Sequence, residues 1–141
     1  MKPKIVIDKN VLIAGLLSRK GASFRVLELI SENKFDLVIS VPLILEYEEA
    51  TKRKSRTIGL TYSEIDDILD YICFVADLRE VFYLWRPFLK DPNDDMILEL
   101  AVEAECDFIV THNIRDFAGS EKFGIHIITP REFLREIGDL P

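Results

Sequence analysis

Carboxylates stand beside apolar runs in four separate segments of this 141-residue chain. Asp8 and Asp116 follow apolar, β-branched runs, whereas Glu46 and Asp94 each share a predicted helical face with apolar residues. A carboxylate that faces a protein interior costs free energy unless a partner compensates its charge. These positions therefore predict a site where several acids converge on something positively charged.

The repulsion between such acids indicates what that partner is. Neighbouring carboxylates raise one another's pKa values, and a hard divalent cation removes the conflict. The chain offers oxygen ligands but neither paired histidines nor a CxxC pattern, which favours Mg²⁺ or Mn²⁺ over Zn²⁺. Such ions assist displacement at phosphorus by generating hydroxide and stabilising the leaving oxygen. The acids therefore predict metal-assisted chemistry at a phosphate ester.

Each acidic segment also has a local explanation when it is taken alone. Asp8 is a suitable helix N-cap, and Asp91 followed by Pro92 is a suitable N-cap and first-turn pair. Asn113 and Asp116 are typical of a turn that satisfies its own hydrogen bonds. The convergence of the acids, and not any single residue, is what favours a metal site.

Helical phase separates two adjacent acids. Asp94 shares a face with Ile97 and Ala101, the predicted buried stripe, whereas Asp95 points further around the helix. We therefore predict that Asp94 belongs to the site and that replacing Asp95 with Asn is nearly silent. Glu46 is assigned to an inward face by the same argument, with a phase shifted by one residue as the alternative.

Strands alternate with helices along the chain. Strands are predicted at 4–8, 35–42, 79–85, 107–111 and 125–130. Helices are predicted at 10–18, 23–33, 43–54, 61–76, 94–106 and 131–138, and Thr61 with Glu64 predicts a capping box. This alternation indicates an α/β fold with a parallel sheet covered on both faces. In such folds functional groups lie outside the carboxyl ends of the strands, where Asp8 and the residues after 110 are expected.

The composition is that of one ordinary domain over residues 1–141. Its 18 basic and 25 acidic residues give a net charge of −7, so bulk charge does not indicate a nucleic-acid-binding protein, although it does not decide what one cleft binds. The basic run 52–56 could follow an RNA backbone or form a solvated helix end. No apolar stretch approaches the roughly 20 residues that span a bilayer, and the run 11–17 is too short for a signal peptide. We expect a cytoplasmic protein without membrane contact.

Three motifs carry a resemblance to a known family. They are "IDKNVLI" at 7–13, "SVPLILEYEE" at 40–49 and "DPNDDMILELAVEAECDFIVTHNIRDF" at 91–117. No single motif is specific, but their order over nearly the whole chain resembles that of the PIN (PilT N-terminus) domain nucleases. The resemblance implies a three-layer α/β/α sandwich with a central, mainly parallel sheet.

The resemblance also implies roles for individual residues. The fourth acidic position of the family falls here on Asn113, a departure that leaves Asp116, an amide or water to supply the fourth ligand. The implied metal ligands are Asp8, Glu46 and Asp94. The implied catalytic residues are these three together with Asp116, and the implied substrate contacts are Asn10, Thr111 and Asn113.

The family implies Mg²⁺- or Mn²⁺-dependent cleavage of single-stranded RNA and frequent homodimers or higher homo-oligomers. This short chain is similar to the members that act as toxins of toxin–antitoxin pairs, which implies an antitoxin protein as a partner. A catalytically weakened fold that binds RNA or protein is the alternative left open by Asn113. A HAD-type phosphatase is disfavoured because position 10 is Asn rather than Asp, and a receiver domain because "THNIRDF" offers no Lys.

Overall fold

A five-stranded sheet lies at the centre of the computed structural model, which describes residues 2–82 and 88–140. The strands are β1 (Lys4–Ile7), β2 (Asp36–Ile39), β3 (Asp77–Leu78), β4 (Phe108–Val110) and β5 (His126–Ile128). The helices are α1 (Lys9–Leu17), α2 (Ala22–Leu29), α3 (Val41–Arg53), α4 (Ser55–Ile58), α5 (Tyr62–Val75), α6 (Pro92–Glu103) and α7 (Pro130–Glu136). Every strand pairing within the described ranges is parallel. The predicted α/β sandwich with a parallel central sheet is confirmed.

The strand order, β3-β2-β1-β4-β5, reverses direction between β1 and β4. The chain moves outwards from β1 to β3 on one side, then crosses to β4 and β5 on the other. Ile7 pairs with Val110, so Asp8 and Thr111, the next residues, lie side by side at the carboxyl edge. Open parallel sheets bind ligands at such a switch point. The topology therefore places the predicted site at one point of the carboxyl edge, the gap between β1 and β4.

The two central strands are buried on both faces. Val6 and Ile109 are fully buried, which explains why β1 and β4 appear in the sequence as unbroken apolar runs rather than alternating patterns. The Phe133 ring of α7 packs edge-on against Phe35 and Phe108, with centroids 5.3 and 5.7 Å away. This packing fixes the frame from which the polar edge projects.

Side-chain caps determine where several helices begin. The predicted capping box of Thr61 and Glu64 is present at the start of α5, and Thr129 with Glu132 forms a second one at α7. Ser40 Oγ accepts a hydrogen bond from the Leu43 N–H at the start of α3. The cap at Ser40 ends β2 earlier than the predicted strand 35–42.

The strand predicted at 79–85 is wrong over the part that the structure describes. β3 instead comprises Asp77 and Leu78, directly after α5, and the Arg79 N–H donates the next bond to the Ile39 carbonyl at 2.9 Å. Residues 79–82 belong to no strand, and 83–85 lie outside the described residues. Phe82 is 74% exposed, so apolar composition alone misled the prediction. Over residues 2–82 and 88–140, no helix is long and apolar enough to cross a membrane.

Candidate active site

Asp8 is almost completely buried where β1 passes into α1. It occupies the N-cap position of α1, but its side chain makes no capping hydrogen bond. Its Oδ2 instead accepts hydrogen bonds from Thr111 Oγ1 at 2.8 Å and Asn10 Nδ2 at 3.2 Å. The carboxylate therefore faces the end of β4, and helix capping does not explain it. Burial raises the pKa of Asp8 against the opposing effects of Thr111 and Lys9.

A network of neutral donors and acceptors surrounds Asp8. Asn10 Nδ2 also donates to Thr111 Oγ1 at 3.3 Å, and Asn10 Oδ1 accepts the His112 N–H at 3.2 Å. The Asn113 N–H donates to Thr111 Oγ1 at 3.0 Å. Asn10 and Thr111 therefore orient the Asp8 carboxylate without neutralising its charge. The Asn113 side chain lies on the exposed side of this network.

Glu46 reaches the same edge from α3. Its side chain is only 10% exposed, and its Oε1 lies 3.1 Å from Lys9 Nζ. Burial raises the pKa of Glu46, the ion pair with Lys9 opposes this, and the charges of Asp8 and Asp91 add to it. The buried stripe of the helix is Leu43, Tyr47, Ala50 and Thr51, so Glu46 lies at the border of that stripe.

Tyr47 anchors α3 to the end of β1. Its ring is buried, and its hydroxyl donates a hydrogen bond to the carbonyl of Ile7, the residue before Asp8. Burial, followed by the charges of Asp8 and Glu46, raises the pKa of the phenol well above its usual value. Tyr47 therefore stays a neutral donor and holds Glu46 beside Asp8.

The pKa of Asp94 is strongly raised. It lies in the first turn of α6, half-buried. Burial, and then the charges of Asp8, Asp91, Asp116 and Glu46, raise its pKa to about 7. The charges of Asp8, Asp91, Asp116 and Glu46 therefore add to the effect of burial at Asp94. Asp91 was expected only as the cap of α6, which it provides through the Asn93 N–H at 2.9 Å.

The helical phase that placed Asp95 outside the buried stripe of α6 is wrong, whereas the near-silence of Asp95→Asn stays a prediction. Asp95 is completely buried, and its Oδ1 accepts hydrogen bonds from the N–H groups of Phe88 and Leu89 at 3.2 and 2.8 Å. It therefore ties the segment before α6 to the first turn of that helix. A substitution that removes this acceptor cannot be silent, because two backbone donors lose their partner.

Asp116 enters the site from a 3₁₀ turn, Ile114–Phe117, that follows β4. Its charge raises the pKa values of both Asp8 and Asp94. Asp91, Asp94 and Asp116 line one cleft of about 390 Å³, which also includes Lys90 and Arg115. Asn113 occupies the fourth acidic position of the family pattern, and Asp116 supplies a carboxylate close to it.

The donor set fits a hard divalent cation in its chemistry. The acids offer only oxygen atoms, and their mutual repulsion gives a cation something to relieve. Within residues 2–82 and 88–140, however, no three His, Cys, Asp or Glu side chains already lie close enough together to hold an ion. Lys9 Nζ lies 3.1 Å from Glu46 Oε1, one of the oxygens of this donor set.

Two further sets of side-chain contacts involve His112 and the basic run 52–56. His112 Nε2 lies 2.8 Å from Ser23 Oγ, a buried hydroxyl of α2, so its ring is held in place beside the acids. In the basic run, Lys52 pairs with Glu48 at 2.9 Å and Asp66 at 2.7 Å. This pairing favours the helix-end interpretation for Lys52.

Sequence reasoning alone missed the roles of Lys9 and Tyr47. Tyr47 could have been found from its spacing, because it lies four residues after Leu43 and three before Ala50 on the apolar stripe. Lys9 gave no such signal, since its partner Glu46 is remote in the sequence.

The structure is a parallel α/β domain with an acidic site at the point where the strand order reverses. The sequence then matches the family described as the PIN domain over residues 4–115. This match spans most of the chain, which belongs to the PIN domain family, whose members are generally nucleases. The resemblance noted in the three sequence motifs is confirmed. A comparison with curated proteins gives no significant match.

Solved structures support the same fold. One similar structure is VapBC2 from Rickettsia felis bound to a DNA fragment from the promoter. The TM-score is 0.59 at 14% sequence identity, and the alignment covers 88% of this chain and 96% of the other. At this identity the likeness establishes the architecture, while the chemistry has to be argued from the side chains.

Proposed function

We propose that this protein is a Mg²⁺- or Mn²⁺-dependent ribonuclease that cleaves single-stranded RNA. The observation that carries the proposal is the set of carboxylates at the switch point: the buried Asp8, the largely buried Glu46, and the cleft lined by Asp94 and Asp116. A group of acids that repel one another in this way is characteristic of a site tuned for function. Membership of a family of nucleases supports phosphodiester hydrolysis as its reaction.

Asp8, Glu46 and Asp94 are the residues that would hold the ion, with Asp116 as a further carboxylate. A bound divalent ion supplies Lewis-acid stabilisation of the charge that develops at phosphorus. Thr111 and Asn10 keep the Asp8 carboxylate oriented through their hydrogen bonds. The exposed side of this network, which includes Asn113, is the side from which an RNA strand would approach.

We further propose that the protein is the toxin of a toxin–antitoxin pair and acts in the cytoplasm as a homodimer or higher homo-oligomer. One structural neighbour is VapBC2 bound to promoter DNA, and the shared architecture supports an antitoxin protein as the partner here. Co-expression with the product of an adjacent small gene, followed by an activity assay of the complex, tests this role. A partner that binds and lowers the cleavage rate is expected.

Cleavage of a labelled single-stranded RNA by the purified protein tests the nuclease proposal. Activity is expected with Mg²⁺ or Mn²⁺ and is expected to stop in EDTA. Asp8→Asn should lower the rate about 100-fold or more, the scale for loss of a preorganised charge-stabilising group. Glu103→Gln, which removes a charge from the exposed end of α6, is the matched control and should keep the rate.

RNA that is bound but not cleaved under any metal condition would contradict the nuclease proposal. That result would favour the alternative of a weakened fold that acts as a binding module. Loss of activity in Glu103→Gln equal to that in Asp8→Asn would contradict the assignment of the site.

A further inference from the structure

Lys9 places an ammonium group among the acids of the site. Its Nζ lies 3.1 Å from Glu46 Oε1, and the two side chains are 32% and 10% exposed. Lys9 also directly follows Asp8, whose pKa its charge lowers. The hydroxyl of Thr111 and the amide of Asn10 provide hydrogen bonds to Asp8 but no charge.

The local helix does not explain a lysine at this position. Lys9 is the first residue of α1, and the first turn of α1 contains no acidic residue. The positive end of the helix dipole lies there and disfavours a cation. The interaction that compensates this cost is therefore the one across the site, with Glu46 of α3.

A divalent ion and Lys9 would compete for the same oxygen. Glu46 would supply a ligand to the ion, and one of its two oxygens already meets the Lys9 ammonium. An ion that takes this oxygen must displace the ammonium, and an ion that does not take it loses a ligand. Either way Lys9 opposes metal binding, while in the absence of metal it reduces repulsion between Glu46 and its acidic neighbours.

We propose that Lys9 is a built-in counter-ion of the acidic site, which a divalent cation displaces from Glu46, so that Lys9 sets the metal concentration at which the site is loaded. This inference rests on the proposed metal-dependent function. It assigns a regulatory role to a residue that lies between the two implied metal ligands and is not itself a ligand.

Calorimetric titration with Mn²⁺ at constant ionic strength tests the displacement. Lys9→Met should bind Mn²⁺ roughly two- to fivefold more tightly than the wild type, the scale for removing an ion pair that is only partly exposed. Lys90→Met removes the same charge from the neighbouring cleft and should have a smaller effect. Lys9→Arg, which keeps a cation beside Glu46, should stay close to the wild type.

A double-mutant cycle tests whether Lys9 and Mn²⁺ compete at Glu46. In a Glu46→Gln background the Lys9→Met substitution should tighten Mn²⁺ binding clearly less than in the wild type, because the shared oxygen has lost its charge. A melting curve in EDTA provides a readout without metal. There, Lys9→Met should lower the melting temperature, because Glu46 then faces Asp8 without a counter-ion.

The possible outcomes separate this inference from the proposed function. Mn²⁺ binding by the wild type with an unchanged affinity in Lys9→Met would overturn the displacement alone. Equal effects of Lys9→Met and Lys90→Met, or an unchanged melting temperature in EDTA, would also overturn it. A wild-type protein that binds no Mn²⁺ would overturn the metal-dependent function and the displacement together.

Discussion

Two groups of carboxylates in this protein have opposite surroundings. On the helical surface, Asp139 accepts two hydrogen bonds from Arg25, each of 3.0 Å, and Glu132 accepts one from the backbone at the start of α7. These bonds lower the pKa values of both acids. At the carboxyl edge of the sheet, burial raises the pKa values of Asp8 and Asp94 instead.

The two groups contribute to stability with opposite signs. An acid whose pKa is lowered on folding stabilises the ionised folded protein, whereas an acid whose pKa is raised destabilises it at neutral pH. The edge acids are therefore a cost to the metal-free fold, and the divalent cation of the proposed function would offset that cost. This difference distinguishes acids that hold the helices together from acids that are arranged to bind.

The largest effect that separates the groups is expected in catalysis. Asp94→Asn should lower the rate of RNA cleavage about 100-fold or more, because it removes a charge that would help to hold the metal. Glu132→Gln should leave the rate close to that of the wild type. Initial rates with Mn²⁺ on a labelled RNA measure both, and equal losses in the two proteins would remove the proposed distinction.

A large effect on stability is expected at Asp95, the neighbour of Asp94. Asp95→Ala removes the acceptor for the N–H groups of Phe88 and Leu89, at a cost of about 1–3 kcal/mol for the buried Leu89 donor. Asp94→Ala should cause no comparable loss. Urea unfolding in EDTA measures both free energies, and an unchanged value for Asp95→Ala would contradict its anchoring role.

A smaller effect is expected from metal binding. Mn²⁺ at about tenfold excess over its Kd should add roughly 1.4 kcal/mol to the free energy of unfolding, and so raise the melting temperature by about 3–6 °C. Asp8→Asn should raise the metal-free melting temperature by relieving repulsion and should shrink the Mn²⁺ shift.

Asp139→Asn is the contrasting control for that experiment. It should lower the metal-free melting temperature, because Arg25 loses a charged partner, and it should keep the full Mn²⁺ shift. If Asp8→Asn and the wild type show the same Mn²⁺ shift, the ion binds elsewhere.

The smallest effect is a shallow dependence on pH without metal. Asp94 has a pKa of about 7 in the folded protein against an ordinary value of 3.8. Between these values the folded protein holds more protons than the unfolded chain, so rising pH favours unfolding. The expected slope is less than about 1 kcal/mol per pH unit after solvent screening. Melting in EDTA from pH 5 to 8 should show the decline, and Asp94→Asn should flatten it; an equally steep decline in that variant would assign the slope to other groups.

The carboxyl edge of the sheet could be predicted from the sequence, because a buried strand and the polar residue that follows it are both visible in a short segment. Unbroken apolar runs predict buried parallel strands, and Asp8 and Thr111 each follow such a run. The register that sets them side by side needed the structure. The edge strand β3 was misplaced because apolar residues such as Phe82 remain exposed.

The contacts that arrange the acids could not be predicted, because their partners are distant or irregular. The acceptor role of Asp95 depends on backbone N–H groups in a segment without periodicity. The ion pair of Lys9 with Glu46 joins α1 to α3, and no sequence pattern relates the two. Tyr47 was the exception, since its place on the apolar stripe of α3 was visible from spacing.

The pairing of Asp8 with Thr111 has a consequence for the synthesis of the protein. The two residues are separated by 103 positions, so the first acid leaves the ribosome long before the strand that orients it exists. At about 5–20 residues per second that delay amounts to roughly 5–20 s. Contacts of such long range also tend to form slowly. A nascent chain therefore carries Asp8 for some seconds without the Thr111 hydroxyl that orients it, and the site is complete only after β4 has been made.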